Sequence, residues 1–177
     1  IYSPHQDDQL NRGTLTDKQG NKFETVVLGK ALPLLKKHIN LSKNYFWVVY
    51  PKNKNTQNLH FQIAGIWDPY QLNNMDNNNL KKNSSELLKE VNLVDNYFSI
   101  RGELVFINTQ KKEIVVKIIN SSKAKRLKQK NFKLVLEGEI SLEILNNFVS
   151  LDAIREGNSL KLESYEVVEK ISSIEKN

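Results

Sequence analysis

Cysteine is absent from the 177 residues, which removes disulfide staples, thiolate zinc sites and a cysteine nucleophile together. Glycine and proline are scarce, at seven and four, so collagen-like chains and glycine-rich linkers are excluded as well. No apolar run approaches the ~18 residues that a membrane-spanning helix needs, and no membrane insertion is expected. Neither a Gly-x-Gly-x-x-Gly turn, a phosphate-binding loop nor a nucleophile elbow occurs. The chain opens on Ile1 rather than Met, so a preceding segment is expected, and no signal peptide is visible in what is present.

What remains is ordinary in amount and uneven in distribution. Hydrophobic residues are 39% and charged residues 26% of a 20.5 kDa chain, the range of a soluble globular protein with room for one domain or two small ones. The formal net charge is +6 and the sequence pI about 9.3. Residues 110–133 hold nine basic side chains against Glu113 alone, a local charge of +8, whereas residues 134–177 carry four basic and nine acidic ones, or −5. The positive charge is concentrated in one window.

The sequence divides around residues 71–95. Six asparagines fall between Asn73 and Asn83, with too little apolar surface to offset the entropy of ordering, and the segment reads as a flexible linker. Glu86 to Val94 is a candidate for a short helical turn. Either side of it the chain repeats itself weakly. Leu10-Asn-Arg-Gly-Thr-Leu compares with Ile100-Arg-Gly-Glu-Leu, and Val26-Val-Leu-Gly-Lys-Ala-Leu with Leu134-Val-Leu-Glu-Gly-Glu-Ile. Asn44-Tyr-Phe-Trp-Val-Val compares with Asn146-Asn-Phe-Val-Ser-Leu, and Asn58-Leu-His-Phe-Gln-Ile with Asn158-Ser-Leu-Lys-Leu-Glu. The shared order points to a degenerate duplication.

In the second half, alternation predicts strands over Phe98–Phe106, Ile114–Ile118 and Phe132–Leu136, then a short helix near 140–146 and two strands joined at Glu156-Gly157-Asn158. Three strands, a helix and two strands match the OB-fold, a five-stranded Greek-key barrel. The first half offers a hairpin about Asp17-Lys-Gln-Gly-Asn, a helix over 30–39 with Pro33 in its first turn, and strands Tyr45–Tyr50 and Leu59–Trp67. One strand fewer is visible there: it either precedes Ile1 or is missing from an incomplete barrel. The expected fold class is mainly β with short helices, as two tandem OB-like modules over 9–70 and 96–170.

Ser3-Pro-His-Gln-Asp-Asp-Gln-Leu-Asn-Arg-Gly, Val26-Val-Leu-Gly-Lys-Ala-Leu, Trp47-Val-Val-Tyr-Pro-Lys and Tyr97-Phe-Ser-Ile-Arg-Gly-Glu carry a resemblance over most of residues 1–170. The chain resembles tandem OB-fold proteins, and within them a family of small cyanobacterial and plastid-lineage proteins. The resemblance brings no catalytic motif. It implies binding of oligonucleotides, with protein partners as the alternative, and a cytoplasmic location, or the plastid stroma for a plastid-lineage chain.

Candidate site residues follow from charge and aromatics. Lys123, Lys125, Arg126, Lys128 and Lys130 lie between two strands with little to bury. There they form either a phosphate-binding loop, whose affinity comes from counterion release, or a solvated lysine-rich loop. Lys111, Lys112, Lys117 and Lys133 could extend the same surface. The outward face of the second module's middle strands is expected to hold Val115, Lys117, Ile119, Lys133 and Val135 and no aromatic, with Phe98, Phe106 and Phe132 in phase with the core. On Tyr45–Tyr50, alternation sends Tyr45, Trp47 and Val49 one way and Phe46, Val48 and Tyr50 the other. One set is core; the other, with Lys52 and Lys54 after it, is a stacking or interface patch. The histidines His5, His38 and His60 have no partners at metal-ligand spacing, His60 reads as a solvated surface residue, and Asp7-Asp8 reads as a turn or helix start. No metal, cofactor or enzymatic activity is expected. The partners expected are RNA or single-stranded DNA, with a protein complex as the rival.

Overall fold

The computed structural model describes residues 1–54, 58–67, 94–119 and 131–169. Its contacts divide into two units, Ile1–Pro51 with Leu59–Asp95, and Lys52–Asn58 with Asn96–Asn177. Most of the Asn-rich linker and the five cations from Lys123 to Lys130 lie outside the described residues.

The first unit runs β1 (Tyr2–Gln6), β2 (Gln9–Thr16), β3 (Lys22–Val27), α1 (Leu32–His38), β4 (Phe46–Lys54, whose end from Lys52 groups with the second unit) and β5 (Asn58–Trp67). The second runs β6 (Tyr97–Asn108), β7 (Glu113–Ile118), β8 (Phe132–Glu137), a 3-10 turn (Leu142–Ile144), β9 (Phe148–Glu156) and β10 (Ser159–Glu169). The first five strands form a sheet in the order β1-β2-β3-β5-β4, and the second five close into a barrel in the order β10-β8-β7-β6-β9. Strand for strand the two orders are the same. In each unit the third strand runs parallel to the fifth, Val26 beside Gln62 and Glu137 beside Lys161.

The strand that sequence reading lacks in the first half is β1. Its five residues include Pro4 and show no clean alternation, and they are held by register with β2, Tyr2 facing Leu15 and Gln6 facing Gln9 across a turn at Asp7-Asp8. Tyr2 is the most consequential residue of that strand. It is buried in the core with Val27, Ala31, Leu35 and Ile63, and its hydroxyl donates to the Leu10 carbonyl at 2.9 Å. The β2–β3 turn is built by Asp17, whose carboxylate accepts from the Gln19 and Asn21 amides at 2.9 and 2.8 Å, with Gly20 at φ +86°.

The helix α1 has seven residues, too few to be stable in isolation, and no side chain caps its N-terminus. Burial of Leu35 beside Ala31 anchors it to the sheet, while Lys36, Lys37 and His38 in its last turn suit the negative end of its dipole. The equivalent position in the second unit is shorter than a helix over 140–146 would be: one 3-10 turn, capped by the Ser141 hydroxyl accepting from the Glu143 amide.

Three of the four matches of the internal repeat fall on equivalent elements: the ends of β3 and β8, and the starts of β4 and β9 and of β5 and β10. The Arg-Gly match does not: Arg12-Gly13 lies on a second strand and Arg101-Gly102 on a first strand. Both glycines nevertheless sit where first and second strands press together. A Cβ on Gly13 would press into the Ser3 carbonyl oxygen and meet Pro4 Cα at 2.8 Å, and one on Gly102 would meet the Lys117 carbonyl oxygen at 2.5 Å. The same packing demand selects glycine from opposite sides of the seam.

The second core is more completely enclosed. Leu104, Ile114, Val116, Leu136, Val149, Leu151 and Ala153 have no solvent exposure. Arg155 is also buried, and its guanidinium donates to Asn96 Oδ1 at 2.6 and 3.0 Å and to the Gly157 carbonyl at 2.8 Å. A buried cation needs such partners to offset desolvation, so Arg155 serves to tie the end of β9 to the start of β6.

Candidate functional site

The strand β6 changes partners along its length. It pairs with β9 over Tyr97–Glu103 and with β7 over Glu103–Asn108. Between Leu104 and Phe106 its register with β7 shifts, so that Leu104 faces Val116 and Phe106 faces Val115. Such a bulge reverses the alternation beyond it. Phe106, expected in the core, therefore lies on the outer face with 46% of its surface exposed, and Ile107 takes the inward phase opposite the buried Ile114.

Phe106, Val115 and Val135 form one row across the outer face of β6, β7 and β8, and Glu103, Lys117 and Lys133 form the next. Rows on one face of a strand are about 7 Å apart. An aromatic ring with two β-branched neighbours thus borders a cationic row. Lys133 is exposed and has no ion-pair partner among the described residues, whereas the Lys117 ammonium donates to Glu103 Oε2 at 3.0 Å. Phe98 and Phe132 are half-buried in the inward phase of their strands.

Lys111 and Lys112 are not beside this pair. They occupy the β6–β7 turn, at the opposite end of β7 from Lys117. Six residues of antiparallel strand span about 20 Å. There Lys112 Nζ pairs with Glu139 Oε1 at 2.7 Å, an exposed contact that raises the lysine pKa and lowers that of the glutamate, chiefly through the hydrogen bond. Ile119, 49% exposed, is the last described residue before the segment holding Lys123, Lys125, Arg126, Lys128 and Lys130.

On β4 the ambiguity of phase is resolved. Trp47 and Val49 pack against the Tyr2–Ile63 cluster, with the Tyr2 and Trp47 rings 5.9 Å apart. Phe46, Val48 and Tyr50 therefore form the outward set, and Tyr50 is 55% exposed. Phe46 meets Trp67 edge-on at 5.9 Å, and Lys18 Nζ lies 5.8 Å from the Phe46 ring centroid. Lys52 does not extend this patch. It groups with the second unit, its ammonium over the Phe132 ring and its pKa lowered by burial. The Lys54 side chain lies outside what is described. His60 is half-buried on β5 rather than solvated, and His5 lies 3.8 Å from Glu24 Oε2.

On the far side of the barrel Asp152 accepts from the Tyr97 hydroxyl at 2.5 Å and from Ser164 Oγ at 2.8 Å. These hydrogen bonds, that of Tyr97 first, hold its carboxyl below its ordinary pKa. Among the described residues no cluster of three or more His, Asp or Glu side chains is placed to hold a metal ion, and no helix is long and apolar enough to cross a membrane.

Residues 1–74 match the PatR RNA-binding protein, N-terminal OB-fold domain, and residues 100–169 match the cyanobacterial OB-fold-like RNA-binding domain, C-terminal. The chain carries two OB-fold domains in tandem. Comparison with curated proteins returned no match. In OB-folds the face of strands two and three is a common oligonucleotide surface. In the second unit of this tandem OB-fold chain that face is β7–β8, with Phe106 alongside. In the first unit it is β2–β3, where Arg12, Thr14, Glu24 and Val26 pair across the sheet without an aromatic, and the outward aromatics, the half-buried Phe46 and the exposed Tyr50, stand on β4 instead.

Proposed function

We propose that the chain is a non-catalytic RNA-binding protein, with RNA preferred over single-stranded DNA. The descriptions of both matched domain families name RNA binding, which supports the reading. The observation that carries it is the outer face of β6–β8, where Phe106, Val115 and Val135 adjoin Lys117 and Lys133. A ring at that position stacks a base; the adjoining cations take phosphate. The main phosphate contact is the basic region 111–133. A strand lying lengthwise along β7 meets Lys133 at one end and Lys111 and Lys112 at the other. The residues 71–95 serve as the connection between two binding modules.

The test is fluorescence anisotropy of labelled single-stranded RNA and DNA at several salt concentrations. Each neutralised phosphate contributes roughly −0.7 to the log–log slope on single strands. Changing Lys123, Lys125, Arg126, Lys128 and Lys130 to Gln together should flatten the slope by up to about 3.5. Phe106→Ala should weaken binding while leaving the slope nearly as it was, because stacking releases no counterions. If neither RNA nor DNA binds even at low salt, the reading fails and the barrel faces are left as contacts for a protein complex.

A further inference from the structure

We infer that the first OB unit holds a second single-strand subsite on the outer face of β4, where Phe46 and Tyr50 stack bases away from its β2–β3 face. The inference rests on the RNA-binding reading and adds to it a place and a contact mode. Phe46, Val48 and Tyr50 stand at two-residue spacing on one face, opposite in phase to Trp47 and Val49, which belong to the core. That spacing puts the Phe46 and Tyr50 rings about 14 Å apart along the strand, far enough for each to take its own base.

Charge selects a polyanion over an apolar protein partner. Residues 1–51 and 59–67 of this unit contain seven Lys and Arg against four Asp and Glu. Asp7 and Asp8 lie in the β1–β2 turn and Asp17 is engaged in building the β2–β3 turn. Glu24 is thus the one carboxylate on the strands β2 to β5, and it faces His5 at 3.8 Å. Lys18 stands over Phe46, and Arg12 and Lys22 project from β2 and β3. Base stacking with a nearby cation is the pattern of single-strand binding without sequence readout.

The two tryptophans supply a reporter confined to this unit. Trp47 and Trp67 are the only ones in the chain; Trp47 lies beneath the β4 face and Trp67 meets Phe46 edge-on at 5.9 Å. The experiment uses the full chain, a labelled RNA oligonucleotide of mixed sequence for anisotropy, and the same unlabelled RNA for tryptophan emission. Emission should fall in step with the anisotropy titration. Tyr50→Ala should weaken binding roughly five-fold, the lower end of aromatic–base stacking, and diminish the emission change, whereas Tyr50→Phe should preserve both. RNA binding by anisotropy with unchanged emission in the wild-type chain, and full affinity in Tyr50→Ala, overturns the inference and leaves the second unit as the RNA site. No binding by anisotropy removes the RNA reading itself, and this subsite with it. An emission change that depends on protein concentration without RNA, accompanied by a dimer in sedimentation, assigns the face to a second copy and also overturns the inference.

Discussion

Replacing Gly102 by Ala probes how the second barrel closes. Gly102 lies just before the point where β6 exchanges β9 for β7 as its partner. An added Cβ would stand 2.5 Å from the Lys117 carbonyl oxygen, 2.7 Å from Val116 Cγ1 and 3.1 Å from the Lys117 carbonyl carbon. Two of these are backbone atoms of a ladder strand and the third belongs to a side chain with no exposure, so relief requires β7 to move as a whole. Overpacking costs about 1–3 kcal/mol, more where nothing can yield, and the upper end, about 3 kcal/mol, is expected here. In a unit of this size each 1 kcal/mol lowers the melting temperature by roughly 4–8 °C, giving a drop on the order of 12–24 °C. Urea and thermal unfolding followed by far-UV circular dichroism measure it. Gly65→Ala on β5 is the control, since nothing lies within 4 Å of its added Cβ. A Gly102→Ala chain within about 1 kcal/mol of wild type, or a Gly65→Ala chain equally damaged, would refute the close-approach argument.

Burial pushes the Tyr2 phenol up from 10.0 to about 12. The neutral form is the one the fold favours, so its contribution is complete below the unfolded value and is lost as pH rises through the folded one. The full amount is roughly 2–3 kcal/mol; urea midpoints from about pH 9 to 12 should fall more steeply in wild type than in Tyr2→Phe. Asp152 runs in the opposite sense. Its lowered pKa gives stability that is present above the unfolded value and lost as pH falls through the folded one, and an NMR titration should find its carboxyl moved back upward in Tyr97→Phe. An unmoved carboxyl would show that the Tyr97 hydroxyl is not the cause. Lys133→Gln should weaken RNA binding more than Lys112→Gln, because Lys112 already has Glu139 at 2.7 Å; equal losses in the anisotropy titration would count against a face centred on β7–β8.

Local pattern carried a good part of this protein. The order of strands and helices, the hairpin at Asp17 and the turn at Gly157 follow from apolar alternation and turn chemistry, which act over a few neighbouring residues. The same period of two separated Trp47 and Val49 from Phe46, Val48 and Tyr50, and the charge count confined most of the positive excess to residues 110–133. Other features required partners distant in sequence. Alternation is symmetric, so the inward set on β4 was decided only by Tyr2 and Ile63 packing against Trp47 and Val49. β1 has no pattern of its own and exists through its register with β2. The spacing of three between Leu104 and Ile107 was the one trace of the bulge, because residues an odd number apart cannot both face inward on an unbroken strand. Its consequence, Phe106 on the outer face, depends on where β6 leaves β9 and takes up β7. That Lys111 and Lys112 stand a strand's length from Lys117 and Lys133 is likewise a matter of topology, since closeness in sequence along an extended strand becomes distance in space at about 3.4 Å per residue. Period is a property of the backbone itself, whereas face and register belong to the pair of strands that meet.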